Sequence, residues 1–96
     1  MNASDEPWTA TISIRPGRPD LARMLERALR PEAEREVPRA RAELRRVSDD
    51  RLELEIRACD VGAMRAALNT HLGWIQLSLS TVRAAARSGP PEASGH

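Results

Sequence analysis

The chain is 96 residues long, enough for one domain with one modest core and too short for a second. Its formal net charge is +1, and all 15 basic residues are arginine, so phosphate contacts would need a patch that concentrates them. Cys59 is the single cysteine, which excludes an internal disulfide. Arg65, Asn69, His71, Gln76 and Arg83 interrupt the longest apolar stretch, which excludes a membrane span.

Met1 to Glu6 is acidic and polar, unlike a secretory signal, so a cytoplasmic protein with a flexible N-terminus over 1–7 is expected. Trp8, Ala10, Ile12 and Ile14 then alternate with Thr9, Thr11 and Ser13, which predicts a half-buried strand. Arg15-Pro16-Gly17-Arg18 breaks it. Pro19 suits a first helical turn, where its missing N–H costs nothing. Leu21, Met24, Leu25, Ala28 and Leu29 follow at helical spacing, with Arg23, Glu26, Arg27 and Arg30 opposite, and Pro31 is expected to end this first helix. Glu32 to Pro38 reads as loop.

Alternation returns with Ala40, Ala42 and Leu44 inward and Arg39, Arg41, Glu43 and Arg45 outward. Ser48-Asp49-Asp50 is turn chemistry. Leu52, Leu54, Ile56 and Ala58 next alternate with Arg51, Glu53, Glu55 and Arg57, so the second and third strands form a hairpin. Asp60 is a good N-cap for a long second helix from about Val61 to about Arg87, stopped by Ser88-Gly89-Pro90-Pro91. Residues 8–88 are thus expected to form one domain, and 89–96 a disordered tail.

The order β-α-β-β-α predicts an α+β fold. Strands one and two, joined through a helix, run parallel, so an all-antiparallel sheet requires the third between them, in the order 1-3-2. Both helices should cover the face bearing Ile12, Ile14, Leu44, Leu54 and Ile56 and leave the other to solvent.

The second helix is apolar on more than one side. At about 100° per residue, Val61, Met64, Leu68, Leu72, Ile75, Leu79, Val82 and Ala86 form a stripe expected to face the sheet. Arg65, Asn69, Gln76, Ser80, Arg83 and Arg87 form a narrow polar strip. A second arc of small and apolar residues includes Ala63, Ala67, Thr70, Trp74, Leu77 and Thr81. A surface helix needs only one apolar stripe, so the second arc predicts an exposed groove for a helical partner.

The run from Asp60 to Ile75, with Met64-Arg65-Ala66-Ala67-Leu68-Asn69-Thr70 followed by Leu72-Gly73-Trp74-Ile75, resembles the signature of the Pcc family of KEOPS-complex subunits. Ala28-Leu29-Arg30-Pro31-Glu32, then Pro38 and Arg39, is similar to a second stretch of that family. His71 stands where the family has an aromatic, and Gly73 where it has arginine. The resemblance implies a non-catalytic subunit that forms a homodimer and docks through its helices onto the ASKHA-type catalytic ATPase subunit of KEOPS. That assembly makes the threonylcarbamoyladenosine modification of tRNA. On this basis Ala63, Ala67, Leu68, Thr70, Trp74, Leu77 and Thr81 are the expected partner interface.

No catalytic, cofactor-binding or metal-binding set is legible: two histidines and one cysteine lack metal-ligand spacing. Glu53 and Glu55 read as cross-strand partners of the arginines flanking them. Outward Arg39, Arg41, Arg45, Arg51 and Arg57 are the candidates for an accessory tRNA contact. They also motivate the alternative of a stand-alone, half-KH-like RNA-binding module. The chain lacks Phe and Tyr, and the scarcity of aromatic rings for base stacking weighs against that alternative.

Overall fold

The computed structural model describes residues 6–34 and 38–88. Elements follow in the order β1 (Trp8–Ile14), α1 (Pro19–Ala33), β2 (Ala40–Ser48), β3 (Arg51–Ala58) and α2 (Val61–Ser88). The sheet is antiparallel throughout with β3 in the centre, as the α+β reading requires. The N-terminus expected at 1–7 is described only at Glu6 and Pro7, and the tail expected at 89–96 lies outside the described residues.

Register follows from the alternation, because a period of two sends each row to one side. The rows Ile12–Leu54–Leu44 and Ala10–Ile56–Ala42 face the helices, whereas Thr9–Arg57–Arg41 and Thr11–Glu55–Glu43 face outward. Leu25, Leu52 and Ile56 are fully buried at the centre of the core. α1 packs on β2, β3 and α2, while α2 packs on all three strands. The inner side of β1 is therefore thinly covered: Ile14 is buried, Ala10 and Ile12 only partly, and Trp8 is exposed.

Three local features depart from the expected pattern. Pro31 does not end α1; it sits inside the last turn, which closes through Glu34 N–H to the Arg30 carbonyl at 3.1 Å. A proline so near the end forfeits one hydrogen bond without breaking the element. Arg39 is not part of β2 but a left-handed turn residue, with φ of 64°, whose carbonyl accepts from Cys59 N–H at 2.9 Å. β2 also runs on to Ser48 through a bulge, in which Arg46 pairs with Leu52, Ser48 with Arg51, and Val47 opposes no residue. The bulged register keeps Arg46 on the inner side with Leu52, from where it reaches Glu26 of α1 at 3.5 Å.

Candidate interaction surface

Helix α2 is fixed at its start by Asp60. One carboxylate oxygen accepts from Ala63 N–H at 2.7 Å, and the other accepts from Arg39 Nε at 2.9 Å. The Ala63 N–H first, and the Arg39 guanidinium second, hold the Asp60 carboxyl below its ordinary pKa. The cap fixes where α2 starts, not its rotation against the sheet.

That rotation differs from the expected one. The buried positions are Met64, Ala67, His71, Ile75 and Val82, so the core-facing line runs between the two apolar arcs and takes part of each. Val61 and Leu72, expected against the sheet, are 54% and 42% exposed. The physical reason is α1: it occupies one flank of α2, and the groove between α1 and the sheet draws in small Ala67 and His71. Leu29, Glu32, Ala33, Leu44, Leu54, His71, Trp74 and Ile75 line a small void of only about 10 Å³ at that junction. Burial pushes the His71 imidazole pKa below its ordinary value.

The seven expected interface residues are thereby separated. Ala67 is fully buried and has no surface to offer a partner. Trp74 and Ala63 are half-buried against the core, as is Leu68, which lies on the opposite flank from the rest. Thr70, Leu77 and Thr81 share one exposed flank, with Leu77 59% exposed and the Thr81 hydroxyl donating to the Leu77 carbonyl at 2.9 Å. What the sequence reading missed is the other flank, where Val61 and Leu72 stand exposed. The signal available was the charge on α2, which carries arginine but no acidic residue.

The five candidate tRNA-contact arginines each meet a carboxylate. Arg41 pairs with Glu6 at 2.9 Å, Arg45 with Glu53 at 3.5 Å, Arg51 with Glu53 at 3.9 Å, and Arg57 with Glu55 at 3.5 Å. Arg39 is engaged by Asp60. Of the pairs to Glu53 and Glu55 only Arg45–Glu53 crosses strands; Arg51 and Arg57 pair along β3, because the register sets Arg57 opposite Arg41 and Glu55 opposite Glu43. Arginines concentrate elsewhere too, where Arg23, Arg27, Arg30 and Arg46 surround Glu26 in an open depression of about 610 Å³ between α1 and β2.

Among the described residues no group of three or more His, Cys, Asp or Glu side chains is placed to hold a metal, and no helix is long and apolar enough to cross a membrane. No curated protein matches the chain. Residues 9–83, spanning β1 to the last turns of α2, match the family described as transcription factor Pcc1. With that match over most of its length, the chain belongs to the Pcc1 family of KEOPS subunits, a non-catalytic subunit family with a KEOPS-associated role.

Proposed function

We propose that this chain is a scaffold and dimerisation subunit of a KEOPS-like complex. It docks through its helices onto the ASKHA-type catalytic ATPase subunit and supports threonylcarbamoyladenosine modification of tRNA. The observation that carries this reading is that α2, although packed on its own sheet, keeps apolar side chains exposed on both flanks, Leu77 on one and Val61 and Leu72 on the other. Contiguous apolar surface on a small domain marks a protein contact. The first docking flank is the one bearing Thr70, Leu77 and Thr81, with the partly buried Ala63 and Trp74 beneath it. Leu68 contributes from the far side only if the partner wraps the helix.

Co-expression with the catalytic ATPase subunit tests this. Leu77→Asp should abolish co-purification while the circular dichroism of the chain stays unchanged, since Leu77 supports no core contact; retained co-purification would overturn the flank. Self-association uses a sheet edge, because β1 and β2 each have one side without a neighbour strand and an open edge invites a two-fold mate. Sedimentation showing only monomer at tens of micromolar would sink that part. Arg39, Arg41, Arg45, Arg51 and Arg57 are proposed as accessory tRNA contacts within the complex. Their ion pairs are surface pairs of little worth, which phosphate can displace. The lack of Phe and Tyr rings to stack bases weighs against a self-sufficient RNA-binding module.

A further inference from the structure

Along the outward side of α1, Arg23, Arg27 and Arg30 fall within roughly 60° of one another at about 100° per residue. They share the open depression of about 610 Å³ with Arg46, which the bulged register of β2 holds on the same side. Glu26 is already engaged by two of the four. Arg30 Nη2 donates to one of its carboxylate oxygens at 2.6 Å, and Arg46 Nε lies 3.5 Å from the other. Glu34 stands 3.6 Å from Arg30. Arg23 and Arg27 are exposed and have no ion pair to a described residue. Four guanidiniums against two carboxylates leave the depression with two positive charges uncompensated. Like charges three and four residues apart on a helix repel, so the row of Arg23, Arg27 and Arg30 costs the fold stability that no described ion pair of Arg23 or Arg27 offsets.

We propose that this depression binds a free polyphosphate, a run of condensed phosphates such as the triphosphate of a nucleotide. Condensed phosphates gather several negative charges within a short length, and converging guanidiniums meet them with paired N–H donors. The volume is that of a small-ligand site. Among the described residues Pro31 is the one apolar residue lining it, and no aromatic ring borders it. The site therefore reads phosphates and is indifferent to any base attached to them. An RNA strand is the poorer occupant, because its phosphates are spaced out along a track and Glu26 and Glu34 stand among the arginines that such a track would follow. The depression lies on α1 and β2, apart from both exposed flanks of α2, and does not rest on the docking reading.

Calorimetric titration of the full chain with inorganic triphosphate tests this. One saturable site per chain is expected, with ATP and GTP bound within about twofold of triphosphate and orthophosphate at least about tenfold more weakly. Arg23→Ala with Arg27→Ala should weaken triphosphate binding at least about tenfold, with unchanged circular dichroism because both side chains are exposed. Arg65→Ala with Arg83→Ala removes the same charge from α2 and should leave the affinity unaltered. Equal losses in the two double variants would reduce the binding to net charge and overturn the proposal. So would a failure to saturate by about 10 mM triphosphate, or orthophosphate binding as tightly as triphosphate. Displacement of triphosphate by bulk tRNA at equal phosphate concentration would also overturn it, assigning the site to nucleic acid.

Discussion

Asp60 divides its carboxylate between two elements: one oxygen caps α2 at Ala63 N–H, and the other holds Arg39 in the turn that opens β2. The neighbour of Asp60 ties the same turn through the backbone, because Cys59 N–H donates to the Arg39 carbonyl. The entry of β2 and the start of α2, 21 positions apart, are thus one joint.

Removing that joint should act in steps. Asp60→Asn keeps an oxygen for the cap and loses the charge pair, whereas Asp60→Ala loses both, so thermal midpoints should fall in the order wild type, Asn, Ala. Because the folded carboxyl pKa lies below its unfolded value, its contribution is complete above about pH 3.9 and lost as pH falls through the depressed folded value. Midpoints of wild type and Asp60→Ala should converge in strong acid; a gap independent of pH would contradict the cap and pair.

His71 supplies a second pH dependence. Its imidazole is buried beside Leu29, Ala33, Leu44 and Leu54, with Glu32 the other titratable residue at that void, and burial lowers its pKa. The unfolded chain binds the proton more readily, so stability is full above about pH 6.5 and declines as pH falls through that value towards the folded pKa. Urea midpoints between about pH 5 and about pH 8 should show the slope, and His71→Leu should flatten it.

Gly73 lies in the exposed middle of α2, and an added Cβ would meet nothing within 4 Å. Gly73→Ala should therefore stabilise the fold by about 1 kcal/mol, through backbone entropy alone. Urea unfolding measures it; destabilisation would mean that the position packs against something.

The core and the bulge should respond very differently to truncation. Leu25 and Ile56 are both 0% exposed, so either changed to Ala should cost about 2–5 kcal/mol. Val47, outward at the bulge and 40% exposed, should cost within about 0.5 kcal/mol when changed to Ala. Comparable losses at all three would place Val47 in the core.

Element order, the side each strand residue faces and the sheet topology were legible in the letters, because they rest on local periodicity and on the connections. Alternation over Trp8–Ile14, Ala40–Leu44 and Leu52–Ala58 dictates which side each residue faces, and the β-α-β-β-α order leaves one all-antiparallel arrangement. Pro31 and Arg39 were misplaced by one turn and one residue. A proline can occupy a helix's last turn, and a left-handed arginine leaves no mark in an alternating pattern.

The face that α2 buries was legible only in part: Met64, Ile75 and Val82 of the expected stripe are buried, but Val61 and Leu72 are exposed and Ala67 and His71 are buried instead. With apolar residues over most of its circumference, the helix could satisfy the sheet at several rotations. Periodicity supplies the spacing of a stripe but not its bearing. The choice came from α1, whose packing beside α2 drew Ala67, His71 and Trp74 inward and turned Val61 and Leu72 out. Local chemistry along the chain determined the parts and their order; the competition of two helices for one sheet face decided which surface was left for others.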